Sequence, residues 1–127
     1  MREYRLIIPG TLPSLNELID AERTHRQKGA AVKKKAERIV RACIWQQLRG
    51  IKPRTPVKLH YYFYEKNRRR DLDNVFSMCA KVAQDSLVKE GILKNDGWEY
   101  IDGFTAQFFV DGKFPRIEIV IEENNKT

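Results

Sequence analysis

The sequence predicts an α+β fold, a single small domain over residues 1–127 with two to three helices packed on a mixed or mostly antiparallel sheet. Three observations lead there. Val57–Tyr64 (VKLHYYFY) is rich in β-branched and aromatic residues and reads as a strand. Ala30–Arg49 repeats its apolar residues at helical spacing. Along the chain the elements follow as β, long helix, β, helix, β, β, which suits helices layered on one sheet. A length of 127 residues supports one buried core and is short for two.

Tyr4–Ile8 alternates and then runs apolar, a strand ended by Pro9 and Gly10. In LPSLNELI, Ser14 and Glu17 have the spacing of a capping box, so a short helical turn begins there or the segment is a polar loop. THRQKG is expected to be a mobile connector. The long helix carries Val32, Ala36, Ile39, Val40, Cys43 and Leu48 on one stripe and ends at Gly50. Pro53 and Pro56 mark the loop before the Val57 strand. Asp73 or Asn74 is placed to cap a second helix, which buries Val75, Met78, Cys79, Val82 and Leu87 and stops at Gly91. Phe104–Val110 and Arg116–Ile121 read as strands joined by a turn around Asp111-Gly112-Lys113 that has the look of a hairpin.

The net charge of +7 is unevenly distributed. Arg23–Arg54 holds eleven Lys or Arg against Glu37 alone, whereas Asp85–Thr127 holds nine acids against five bases. A polyanion bound beside a carboxylate site suits that division, as does a merely solvated helix face. No stretch approaches the roughly 18 apolar residues of a membrane span. The apolar run Leu6–Ile8 is too short for a signal-peptide core, so a cytoplasmic location is expected. Cys43 and Cys79 fall in apolar helical positions and read as reduced, buried thiols.

Chemistry concentrates in RRRDLDN, residues 68–74. Cleaving a phosphodiester needs an activated water and stabilised charge, both of which carboxylate-held divalent metal supplies. Asp71 and Asp73 point the same way if the chain there is extended, and diverge by about 200° if it is helical. An N-cap role for Asp73 is the plainer alternative. An EF-hand is excluded by Val75 and Phe76, and paired His or Cys for zinc is lacking. Arg68, Arg69 and Arg70 are placed either to neutralise phosphates or to offset the two aspartates. His25 and His60 are isolated, and His60 reads as a satisfied strand residue.

RRRDLDN followed by a helix and then GILKND resembles the RusA family of Holliday-junction resolvases, and LPSLN resembles its Pro-Ser-x-Asn segment. The resemblance covers nearly the whole chain. It implies that Asp71, Asp73 and Asp96 form a metal-binding catalytic centre for Mg²⁺, with Mn²⁺ as the alternative ion. It also implies a homodimer that nicks four-way junctions and related branched DNA symmetrically in recombination and repair. The chain departs from the family at Asn95, where the resolvase has a second acid, and in a helix about one turn longer before Gly91. The family lysine therefore corresponds to Lys81 or to the position of Ser77, and Lys81 alone carries the charge. Asn16, Arg68–Arg70, Lys33, Lys34, Lys35, Arg38 and Arg41 are expected to contact DNA. Because the second helix is long, Asp96 reaches the aspartate pair either by folding back along it or across the dimer.

Other functions fit parts of the sequence. A non-catalytic DNA-binding protein would use the basic helix alone, with the acids only capping. A regulatory or assembly protein would use that basic face to bind an acidic partner. A restriction-type core would use Asp96, Asp111 and Lys113 and leave Asp71 and Asp73 dispensable.

Overall fold

The computed structural model describes residues 2–124. Its elements are β1 (Glu3–Pro9), α1 (Leu15–Thr24), α2 (Arg26–Leu48), β2 (Val57–Glu65), α3 (Leu72–Lys89), β3 (Ile101–Val110) and β4 (Arg116–Glu122). The four strands form one mixed sheet in the order β1-β4-β2-β3. β4 runs antiparallel to both β1 and β2, and β3 runs parallel to β2. The α+β layering read from the sequence is thus the observed one. No helix among the described residues is long and apolar enough to cross a membrane.

Alternation explains why the sheet lies where it does. In β2, Val57, Leu59, Tyr61 and Phe63 are fully buried, while the intervening Lys58, His60, Tyr62 and Tyr64 face the other side. Leu6 and Ile8 of β1 and Ile117, Ile119 and Ile121 of β4 join the same cluster, with Ala36, Val40 and Ile44 of α2 and Val75, Val82 and Leu87 of α3. Each large apolar side chain so buried contributes about 1.5–3 kcal/mol. Phe76 of α3 packs edge-on against Tyr61 at 5.3 Å between ring centroids, which fixes that helix over β2.

The helices are longer than periodicity alone indicates. Ser14 caps α1, its Oγ accepting from the Glu17 backbone N–H at 3.3 Å, and the helix runs ten residues rather than one turn. THRQKG is not a loose connector. His25 ends α1 with its N–H on the Ala21 carbonyl, and its Nδ1 accepts from the Gln27 N–H to start α2. Gly29 lies where α2 crosses α1, and any Cβ there would overlap the Glu22 side chain. Gly91 ends α3 with a φ of 77°, the left-handed cap that glycine adopts without strain.

One connection differs from the expected hairpin. β3 and β4 are not neighbours, because β2 lies between them. The chain from 111 to 115 passes over the end of β2, where the Asp111 N–H donates to the Glu65 carbonyl at 2.8 Å. Stepping over one strand requires about 10 Å, well within five extended residues. The deciding factor is β2, which is apolar enough to need a neighbour on each side, and no local turn signal reports that.

Candidate active site

RRRDLDN lies in the turn from β2 into α3. Asp71 is the N-cap residue, with extended backbone (ψ 136°), and helix begins at Leu72. Asp73 is already helical, so the chain straightens only as far as Asp71 and the pair straddles the helix start. Asp73 Oδ1 accepts from the Asn74 backbone N–H at 2.9 Å, whereas Asp71 makes no side-chain cap bond. Both carboxylates are exposed. The free N–H groups of a helix start favour negative charge there, which makes two adjacent aspartates tolerable without arginine partners.

The three arginines divide by environment. Arg68 and Arg69 are exposed. Arg70 turns inward and grips Glu65 with two parallel bonds, Nε to Oε1 at 2.8 Å and Nη2 to Oε2 at 3.0 Å. Its Nη1 donates to the Leu12 carbonyl at 2.6 Å and to Glu17 at 3.1 Å. Its counter-ions are therefore Glu65 and Glu17 rather than Asp71 and Asp73. Burial alone would lower its pKa, but the two glutamates raise it further. Glu65 continues the buried phase of β2 (Val57, Leu59, Tyr61, Phe63), so an acid at that position was the sequence's overlooked sign of a buried cation partner.

Two grooves meet at this turn. One, of about 460 Å³, runs between α2 and the turn and includes Lys35, Ile39, Lys66, Asn67 and Arg70. The other, of about 410 Å³, includes Arg68, Asp71, Leu72, Phe108 and Val110. They share Glu65, Asn67 and Arg70, so a surface with cationic side chains leads from α2 to Asp71. Lys33, Lys34, Lys35 and Arg38 are exposed on α2 and Asn16 on the first turn of α1. Arg41 instead ties α2 to α3, its Nε donating to Glu90 at 2.7 Å.

Asp96 lies at the opposite end of α3. It shares a small surface hollow with Asp85, Val88, Lys89 and Asn95. The 18 residues of α3 put about 27 Å of helix between the two ends. Within one chain the loop does not fold back, and no group of three or more His, Cys, Asp or Glu close enough to hold a metal occurs among the described residues. Asn95 shapes the loop, its Oδ1 accepting from the Gly97 N–H at 2.9 Å. Ser77 donates to the Asp73 carbonyl at 2.7 Å, and the exposed Lys81 lies 3.6 Å from Asp85 one turn further on.

The arrangement does not suit a site built on Asp96, Asp111 and Lys113. β3 separates the two aspartates, and its ten residues extend about 33 Å. Asp111 is occupied in closing its turn, accepting from the Lys113 and Phe114 N–H groups and from Arg116. The Phe114 bond is the main cause holding its carboxyl below the usual range, with Arg116 assisting. His60 is also satisfied, between Thr105 Oγ1 at 2.6 Å and Glu122 at 3.0 Å.

A profile of the endodeoxyribonuclease RusA family matches residues 13–122. The chain belongs to that family. A search of curated proteins gave no match. The RusA match begins at Pro13, before α1, and ends with β4, so it includes PSLN, RRRDLDN and GILKND and leaves outside it β1, its loop and the residues after 122. Membership places the chain among DNA-cutting endonucleases, and the turn between β2 and α3 is where the exposed Asp71 and Asp73 and the exposed Arg68 and Arg69 coincide.

Proposed function

We propose that the protein is a metal-dependent, structure-selective endonuclease that resolves Holliday junctions and related branched DNA in the cytoplasm, as a homodimer nicking two strands symmetrically. The observation that carries this is the RusA match over residues 13–122, together with the exposed Asp71 and Asp73 at the start of α3, Asp71 lining a groove beside the exposed Arg68. A two-fold dimer suits a four-way junction of matching symmetry.

The donor set fits a hard cation. Exposed carboxylate oxygens at one helix start are what Mg²⁺ or Mn²⁺ takes, and such ions need few protein ligands. Asp71 and Asp73 would hold it together with the partner subunit's Asp96, since one chain separates its own three aspartates by the length of α3. When bound, the ion supplies activation of the attacking water and stabilisation of charge on the phosphate. The chain's own residues position the DNA. Lys33, Lys34, Lys35 and Arg38 hold backbone phosphates along α2, and Arg68 and Arg69 hold those beside the cut. Asn16 and Lys81 extend the contact surface on either side. Arg70 and Arg41 act as positioning residues, one fixing the turn that bears Asp71 and the other docking α3 on α2.

The test uses a synthetic four-way junction and a matched linear duplex, with Mg²⁺ and with EDTA. Paired nicks on the junction, abolished by EDTA, are expected. Asp71→Asn, Asp73→Asn and Asp96→Asn proteins should each bind the junction and fail to cut. A mixture of Asp71→Asn and Asp96→Asn proteins should recover nicking of a single strand, because one of the two sites in a mixed dimer regains all three aspartates. Full activity in either Asp71→Asn or Asp73→Asn would end the assignment, and a dead mixture would end the shared site.

A further inference from the structure

The surface cations divide by face. On the side of the sheet away from the helices, Arg5 pairs with Glu118, Lys58 with Asp102 at 3.0 Å and Arg116 with Asp111 at 3.1 Å. That face neutralises itself. In α2 the one acid is Glu37, and it is engaged by Arg41 and Lys89. Among the described residues no carboxylate lies within ion-pair distance of Lys33, Lys34, Lys35, Arg38 or Arg49. All five are exposed, so the outer side of α2 is where a polyanion gains most. At 100° per residue, Lys34, Arg38, Trp45 and Arg49 fall within about 60° of arc, opposite the buried Ala36, Val40 and Cys43.

We propose that this face of α2 binds single-stranded DNA, with Trp45 stacking an unpaired base and Lys34 and Arg38 holding the phosphates that lead to it. Trp45 is 55% exposed, although Ile44 and Leu48 beside it are buried. Arg49 lies over one face of its indole, 4.4 Å from guanidinium carbon to ring centroid. That contact orients the ring and adds positive charge. No other ring lies against Trp45 among the described residues, so a base on its second face completes a stack of guanidinium, indole and base. Every base has such a face, which makes the contact independent of sequence. In a duplex those faces are already covered by neighbouring base pairs, so Trp45 selects unpaired nucleotides.

The track is continuous with the turn that bears Asp71. Lys35 and Ile39 line the groove that also includes Lys66 and Arg70, and α2 runs on from there to Trp45. Its rise from Lys34 to Trp45 is about 17 Å, room for roughly five phosphates at the 3.4 Å spacing of a duplex strand. An acidic peptide would satisfy the lysines but would offer the indole no flat partner, whereas a nucleic acid strand supplies both. The station adds a substrate class to the function proposed above: branched DNA with unpaired nucleotides beside the branch, as in a gapped or flapped arm. That consequence rests on the nuclease reading, while the binding itself rests on α2 alone.

The chain has two tryptophans, and Trp98 is 89% exposed, so Trp98→Phe leaves Trp45 as sole reporter without touching the core. In that background an oligothymidine of about 12 nucleotides, within the usual site sizes, should quench Trp45 emission, and a matched duplex should bind without quenching. In the otherwise unchanged chain, Trp45→Ala puts a good helix former at an exposed position, so its circular dichroism should stay native. Its affinity for labelled oligothymidine, read by anisotropy, should fall about 5- to 150-fold, the effect of one stacked base. Duplex, bound through phosphates alone, should show no comparable loss, and Trp45→Phe should recover most of the oligothymidine affinity. Arg38→Ala should weaken both ligands and flatten both salt slopes. Saturation with oligothymidine without quenching would overturn the proposal, as would an equal loss of oligothymidine and duplex binding, or no loss, in Trp45→Ala. Quenching in a protein that cuts no junction keeps the stacking site and removes the nuclease reading. Junction cutting without quenching does the reverse.

Discussion

Replacing Arg70 by Met removes a guanidinium but keeps most of the apolar stem, so the loss reports the ion pair. Glu65 is left 8% exposed and without its bidentate partner. Breaking a buried pair from one side costs about 3–5 kcal/mol. The Arg70 side chain is 21% exposed, which favours the lower figure, about 3 kcal/mol. Unfolding entropy of about 2.1 cal/mol/K per residue gives about 0.27 kcal/mol/K for a chain of this size, so Tm should fall by about 11 °C. Arg68→Ala and Arg69→Ala, at exposed positions, should stay within about 0.5 kcal/mol, or about 2 °C. Scanning calorimetry on the three variants reads this directly. Adding Glu65→Leu to Arg70→Met should recover part of the loss, because the stranded carboxylate is then gone. A fall of under about 3 °C in Arg70→Met, or an equal fall in Arg69→Ala, would refute the division of the three arginines into one structural and two surface residues.

Replacing Lys33, Lys34 and Lys35 together by Ala should weaken binding to every DNA and reduce the log–log salt slope by up to roughly three, as each lost phosphate contact changes it by about 0.9. An unchanged slope would make the run a solvated helix face. Burial pushes the Cys79 thiol from 9.0 up to about 12 and also raises that of Cys43. Neither should react with an aromatic disulfide reagent at pH 8 until the protein is unfolded. The Cys79 contribution to stability is present below about pH 9 and is lost as pH rises towards 12, since the unfolded thiol ionises first. Rapid native labelling would contradict that burial.

The sequence by itself determined the main strands and helices and the presence of paired carboxylates where β2 hands over to α3. Alternation in VKLHYYFY and the helical stripe from Val32 to Leu48 are local signals, decided by which residues a buried face accepts, and both elements formed there, although α2 starts earlier, at Arg26, and leaves Ile39 of that stripe exposed. RRRDLDN was legible for the same reason, because carboxylates at the start of a helix need only neighbouring residues to be recognised. Three things required the tertiary structure. Arg70 cannot be told from Arg68 and Arg69 until Glu65, Glu17 and the Leu12 carbonyl are brought around it from two other elements and the loop between β1 and α1. The separation of β3 from β4 depends on competition for the two sides of β2, which is a property of the whole sheet. The position of Asp96 depends on the direction of α3: a rigid helix of 18 residues carries it away from Asp71 in its own chain. The distance between those aspartates is set by backbone hydrogen bonding along α3, and neither residue's identity encodes it.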